Sequence, residues 1–379
     1  MEQRVAKPPG LLLAPDSLSR LSLIERALVE DMRVLVRTPN WLGDIVMALP
    51  VFAALRAHFA GDLLAAGVPR AFAPLLSAVP AVDQVVPLHR AGRRGWRALD
   101  AEADALRRGG FDLAVLLPNS FGSAWAAWRA GIPERWGFAA QWRRGLLTRA
   151  VPRPGRRTPP LHQVDYYQEL VRGLDIDPAA AEPRLAPPPR LIGCARSLLD
   201  AAGWDQKRPI VGIAPGAAYG YAKRWMPDRY GRVADRLSRE LGASVVLLGS
   251  AHDRDAGHAI ESSLAAVDRA GPGPGVVNLI GRTDLSQLIG VVALCRAFIS
   301  SDSGAMHLAA ALGVPVAAIF GPTDERLTAP VGAHEVLTHA VWCRPCFFRD
   351  CPIDHRCMTR ISEDRVFRAV AGQLAERDA

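Results

Sequence analysis

No apolar run in this 379-residue chain reaches the ~18 residues that suggest a membrane span. The N-terminus also lacks the charged start and long apolar core of a signal peptide, so a cytoplasmic protein is expected. Neither a Walker loop nor a Gly-x-Gly-x-x-Gly fingerprint is present, which removes two familiar nucleotide-binding turns. Carboxylates are scarce in one place: Arg129, Arg135, Arg143, Arg144, Arg149, Arg153, Arg156 and Arg157 share their stretch with Glu134 alone. With a net charge of +8, that stretch implies an anionic partner, whether a phosphorylated glycolipid, a membrane surface or nucleic acid, unless it is only a solvated basic face.

What is present is ordinary globular material. Hydrophobic residues make up 49% and charged residues 22%, and the length favours two domains over one. Leu18, Leu21, Ile24 and Leu28 have helical spacing and predict a short amphipathic helix within an N-terminal extension, residues 1–30. Buried strands are predicted at Met32 to Thr38, Asp62 to Val68, Gln84 to Leu88 and Asp112 to Leu117, with a helix from Ile45 to His58. A first domain, 31–180, would close with a helix around His162 to Gly173, and Pro178 to Arg190 reads as a linker. A second series of apolar runs, Ile210 to Ala214, Ser244 to Gly249, Val276 to Ile280, Ala297 to Ser301 and Pro315 to Phe320, predicts another domain over 190–360. A last helix, Glu363 to Ala375, is expected to pack back across the domains. The fold class is thus α/β, two Rossmann-like parallel-sheet domains facing a central cleft, which is the GT-B architecture.

In such sheets ligands sit where strands hand over to helices. Asn40-Trp41-Leu42-Gly43-Asp44 follows the first strand and offers a carboxylate that either caps the next helix or takes a proton from an acceptor hydroxyl. Asn40 and Trp41 add a polar group and an aromatic wall. Ser301-Asp302-Ser303-Gly304 opens a helix whose first amides and dipole would face a diphosphate, with His307 on the same helix face. Asp302 would repel phosphate, so it is expected to orient amides or bind a hydroxyl. Pro215-Gly216-Ala217 and Lys223-Arg224 form a second candidate phosphate cradle, and Asp253 either holds a ribose hydroxyl or caps the following helix.

Together with Leu117-Pro118-Asn119-Ser120-Phe121, these motifs resemble those of the lipopolysaccharide heptosyltransferases, glycosyltransferase family nine, and the heptosyltransferase II group most. The resemblance runs from about Met32 to Met358. It implies metal-independent, inverting transfer of L-glycero-D-manno-heptose from ADP-heptose to the first heptose of the lipopolysaccharide inner core, at the cytoplasmic face of the inner membrane and with peripheral membrane contact. Asp44 would be the base; Gly216, Lys223, Asp302, Ser303, Gly304 and His307 would bind the donor, with Asp253 and Thr283 matching less securely. Asn40, Trp41, Asn119, Ser120, Arg143 and Arg144 would meet the anionic acceptor. No cofactor and no nucleic acid are implied.

The chemistry agrees, because inverting transfer needs one base and charge stabilisation for the departing diphosphate. From Ser303 through Thr323 there is no carboxylate, against a sugar-nucleotide 2-epimerase or a retaining transferase of similar architecture. Asp175-Ile176-Asp177 and Asp253-Arg254-Asp255 match the short metal-binding pattern of other glycosyltransferases, a pattern frequent by chance. Cys343, Cys346, Cys351 and Cys357, with His355 among them, open like a zinc module but continue with spacings of none, leaving structural zinc or free thiols. Rival readings are a family-nine transferase of the I or III type, or a non-catalytic sugar-nucleotide or glycolipid-binding protein on the same scaffold.

Overall fold

The structure, a computed structural model, describes residues 32–88, 95–155, 160–178, 180, 182–265 and 275–378. The N-terminal helix expected before the first strand lies outside them, as do Arg156 and Arg157. Two six-stranded parallel sheets form the frame. The first has the order β3-β2-β1-β4-β5-β6, with β1 Arg33–Arg37, β2 Leu63–Pro69, β3 Gln84–Leu88, β4 Leu113–Leu116, β5 Glu134–Ala139 and β6 Arg149–Pro152. The second repeats it as β12-β11-β10-β7-β8-β9, with β7 Ile210–Ala214, β8 Ser244–Leu247, β9 Val276–Asn278, β10 Ala297–Ser301, β11 Val316–Phe320 and β12 His334–Thr338.

Strands near each sheet centre are apolar and buried on both faces, as crossover helices on either side require. Such strands announce themselves as uninterrupted apolar runs. β5, β6 and β12 were not expected: Glu134, Arg135, Arg149, His334 and Glu335 interrupt them, because strands at or near a sheet edge leave part of their length in water. Pro152 is tolerated in β6 because an edge strand need not donate from every residue.

The helix expected over Ile45 to His58 is two helices, α1 Leu42–Met47 and α2 Leu49–His58, which meet at Ala48. Pro50 has no N–H to continue the first ladder and sits instead in the opening turn of the second. Downstream in the first domain lie α3 Ala73–Leu76, α4 Trp96–Arg107, α5 Phe121–Arg129 and α6 Gln163–Arg172. The second domain carries α7 Pro189–Ala201, α8 Pro227–Leu241, α9 Arg254–Ala265, α10 Leu285–Ala293, α11 Gly304–Ala311, α12 Glu325–Thr328, α13 Arg356–Thr359 and α14 Glu363–Asp378.

The Pro-rich connection is pinned at both sides: Leu185 donates to the Ala311 carbonyl at 2.9 Å and Ala186 to the Ala78 carbonyl at 3.1 Å. One apolar cluster continues from the first domain's helices through Leu185 to Met306 and Phe298. The apolar face of α14, Val366, Phe367, Val370 and Leu374, joins the cluster of Trp225, Tyr230 and Ile299 on the second sheet. The main packing of this helix is therefore with α8 and β10 to β12, not with the first domain.

Candidate functional site

Both sheets change winding direction between their two central strands, β1 and β4 in one, β7 and β10 in the other. The loops that leave those four strands hold Asn40 to Asp44, Asn119 and Ser120, Gly216 to Lys223, and Asp302 to His307. In open parallel sheets this is where ligands bind. The loops after β1 and β10 meet directly, since α1 packs on α11. Two glycines allow it: a Cβ on Gly43 would lie 2.8 Å from His307 Cδ2, and one on Gly304 would lie 2.9 Å from Leu42 Cβ and 3.1 Å from the Gly43 nitrogen. Gly304→Ala must therefore push α1 and α11 apart. A displacement of that kind is expected to lower kcat/KM by roughly tenfold or more without unfolding either domain, which steady-state kinetics and circular dichroism would check together.

Asp44 is not a helix cap. The N-cap position of α1 is Trp41, and Asp44 is the third residue of its first turn, with no side-chain capping bond at this end. It is half-buried beside the interdomain contact, and desolvation raises its pKa from 3.8 to about 6. Lys223 opposes that rise and Asp302 adds to it, so all three groups act at one place. A carboxylate held there is ionised at neutral pH yet basic enough to take a proton.

Lys223 and Asp302 form a mostly buried ion pair, Nζ to Oδ2 at 2.6 Å with side chains 12% and 7% exposed. Thr323 donates its hydroxyl to the same carboxylate oxygen at 2.7 Å, and Lys223 Nζ lies 4.7 Å from the Tyr219 ring centroid. Asp302 thus fixes the lysine, and its own charge is neutralised by that pairing. Next to it α11 begins without a side-chain cap, since the Ser303 hydroxyl is engaged with that of Ser300 at 3.0 Å. Its first amides remain available to an anion. His307 is buried and its pKa is lowered to about 4, chiefly by desolvation, so at neutral pH it is an uncharged imidazole.

The other donor-side expectations divide. Asp253 does not cap the helix after it but closes the turn Ala251–Asp253, whose N-cap is Ser250: it accepts from the Ser250 amide at 3.0 Å and hydroxyl at 2.7 Å, and faces Arg224 at 3.5 Å. Gly216 packs against that carboxylate so closely that a Cβ would fall 2.3 Å from it. Thr283 lies in the loop between β9 and α10, at the same edge of the sheet.

On the first domain, buried Arg37 is paired with Glu102 at 2.8 Å and donates to Asn40 Oδ1 at 3.1 Å, fixing the Asn40 turn from beneath. Trp41 is half exposed. Asn119 donates to the Tyr166 hydroxyl at 2.7 Å, and its buried Oδ1 has no partner among the described residues. Ser120 caps α5 by accepting from the Ser123 amide. Arg143, expected at the acceptor, is instead completely buried: its guanidinium serves the carbonyls of Phe138, Leu116 and Pro118 and the Ser123 hydroxyl. Arg135 is likewise spent on the Leu146, Ile132 and Pro133 carbonyls, and Arg149 on Asp175. Arg144 and Arg153 remain exposed, so the basic stretch is only partly a surface for anions.

Sequence reasoning singled out the cysteine-bearing segment as a zinc or thiol cluster and missed that it backs the loops after β7 and β11. Ala222, inside the Tyr221–Lys223 turn, donates to the Arg349 carbonyl at 2.8 Å, and its own carbonyl is bonded by His355 Nε2 at 2.7 Å. Tyr219 donates its hydroxyl to the Phe347 carbonyl at 2.8 Å, while Arg344 holds the Gly321 and Thr323 carbonyls at 2.7 and 3.1 Å. The cysteine-bearing segment therefore braces the loops of both Lys223 and Thr323. The contact is close at Gly220, where a Cβ would strike the Arg349 carbonyl oxygen at 2.4 Å. As for zinc, no three His, Cys, Asp or Glu side chains among the described residues come together to hold a metal ion. Burial and the neighbouring thiols push Cys357 up to about 11, keeping it a thiol.

The family model described as "Glycosyltransferase family 9 (heptosyltransferase)" matches residues 101–356, about two-thirds of the chain. The protein belongs to glycosyltransferase family 9. It is 34% identical to lipopolysaccharide heptosyltransferase 2 of Salmonella typhimurium, over 79% of this chain and 86% of that one. To the enzyme of the same name from Escherichia coli K12 it is 35% identical, with the same coverage. The solved structure of E. coli ADP-heptose lipopolysaccharide heptosyltransferase II superposes with a TM-score of 0.77 at 30% identity, covering 92% of this chain and all of that one. The protein is a family 9 glycosyltransferase of two-sheet GT-B form.

Proposed function

We propose that this family 9 enzyme transfers L-glycero-D-manno-heptose from ADP-heptose to the first heptose of the lipopolysaccharide inner core, the heptosyltransferase II reaction. The observation that carries the mechanism is the convergence of Asp44, Lys223 and Asp302 where α1 meets α11. Asp44 removes the proton of the acceptor hydroxyl as its oxygen attacks the anomeric carbon of the donor. The bond to the diphosphate breaks on the opposite face, so configuration inverts. Lys223 and the first amides of α11 take up the negative charge that develops on the leaving ADP. Neutral His307 offers a hydrogen bond rather than a charge. Asn40, Trp41, Asn119, Ser120 and Arg144 face the acceptor, Arg144 toward its anionic groups.

No helix among the described residues is long and apolar enough to cross a membrane. Our reading also has the enzyme meet its lipid-linked acceptor by peripheral contact with the cytoplasmic face of the inner membrane.

The deciding experiment supplies ADP-heptose with core acceptors truncated at successive sugars and identifies products by mass spectrometry. Addition to the first heptose supports the reading; addition only to an earlier or later sugar makes the enzyme a family member of the I or III type, and no product with any acceptor defeats it. The mechanism needs one base, one cation and oriented amides, all supplied by the protein. Activity is accordingly expected to survive prolonged EDTA, and rapid loss reversed by Mg²⁺ or Mn²⁺ in folded protein would reopen Asp175-Ile176-Asp177 and Asp253-Arg254-Asp255.

A further inference from the structure

The turn after β5 presents a side chain that makes no packing contact among the described residues. Ala140 to Arg143 make a tight reversal, closed by the Arg143 amide donating to the Ala140 carbonyl at 3.0 Å. Both central residues are left-handed, Gln141 with φ 46° and Trp142 with φ 61°, a region that favours glycine or asparagine and strains a bulky aromatic. Trp142 is 99% exposed, yet its neighbour Arg143 is fully buried. The Arg143 guanidinium donates to the Phe138 carbonyl at 2.9 Å and the Ser123 hydroxyl at 3.2 Å, and to the Pro118 carbonyl at the end of β4. An anchor of that kind one residue away holds the backbone that carries the indole at the surface.

The surroundings of the turn are basic. Ala139 is paired with Pro152, so Arg153 leaves the sheet at the same edge as the turn, and Arg144 follows Trp142 by two residues; both arginines are exposed. No carboxylate occurs from Ala139 through Gly155. Indole rings settle at the headgroup level of bilayers, and guanidinium groups near a membrane are drawn to anionic headgroups. A wholly exposed tryptophan on an anchored turn, with exposed arginines beside it, therefore complements an anionic lipid surface. We propose that this turn docks the protein on an anionic bilayer with Trp142 inserted at the interface, an inference that rests on the membrane-linked acceptor of the function proposed above.

The test uses the full chain with vesicles of phosphatidylglycerol and phosphatidylethanolamine, and with phosphatidylcholine vesicles as the uncharged comparison. Wild-type protein should sediment with the anionic vesicles and far less with the neutral ones. Removing the indole in Trp142→Ala should weaken that partition by roughly tenfold or more, the scale of withdrawing one large aromatic from an apolar phase. Trp342→Ala, an exposed tryptophan of the second domain, should leave it unchanged. Transfer to a soluble, delipidated acceptor should be the same in Trp142→Ala as in wild type, which also shows that the variant is folded. Equal partition of Trp142→Ala and wild type overturns the proposal, as does a wild-type protein that ignores anionic vesicles. Loss of transfer to the soluble acceptor with vesicle partition intact also overturns it, by making Trp142 a sugar contact. Partition that depends on Trp142 in a protein with no transferase activity sustains the docking surface while defeating the function.

Discussion

Asp44→Asn is expected to lower kcat by roughly a hundredfold or more while leaving ADP affinity nearly unchanged, since a general base acts on the transition state and not on donor binding. In wild type, kcat/KM should rise with pH through about 6 and level off above it, because the protonated carboxyl cannot accept the acceptor's proton. The stability effect has the opposite direction. The folded-state pKa lies above the unfolded value of 3.8, so the native state binds the proton more tightly, and stability is lost as pH rises through about 6. Ionised Asp44 then costs about 3 kcal/mol, and Asp44→Asn should be the more stable protein at pH 7.5. The two should converge near pH 4. Thermal melts at the two pH values, set beside turnover numbers, separate a base from a merely buried acid. Near-normal turnover in the variant would assign the proton to another group.

Lys223→Ala is expected to weaken ADP binding by roughly 10- to 100-fold, the value of one charge-assisted contact of about 1.5–3 kcal/mol. It also leaves Asp302, 7% exposed, without its cation, so the single variant should be unstable as well as weak. Lys223→Ala combined with Asp302→Asn removes the uncompensated charge. Stability should return in the double variant, and ADP affinity should not. Calorimetric titration with ADP distinguishes the two cases, and wild-type affinity in the stable double variant would place the diphosphate away from Lys223.

The amino-acid sequence by itself determined the central strands, because a strand covered on both faces is apolar along most of its length. It also marked the turns in which a glycine or a lysine follows such a strand, at Gly43, Gly216, Lys223 and Gly304, which the structure places after β1, β7 and β10. The outer strands β5, β6 and β12 were not, since the charged and polar residues along them break the apolar run that marks a strand. Local pattern misassigned Asp44 as a possible cap, because capping depends on where the backbone leaves the extended region, and here that happens at Trp41.

Only the tertiary structure decided which distant residues meet. Nothing in the chain says that Gly43 will lie against His307, or that Lys223 will neutralise Asp302; those contacts follow from packing one sheet's winding reversal against the other's. Burial likewise sorted the arginines. Arg143 and Arg144 are adjacent and identical in sequence, yet one spends its donors on backbone carbonyls inside the domain and the other stays in water. The difference is physical: a carbonyl-rich pocket left by β4 and β5 can satisfy one guanidinium completely, and the turn that delivers it turns the next side chains outward.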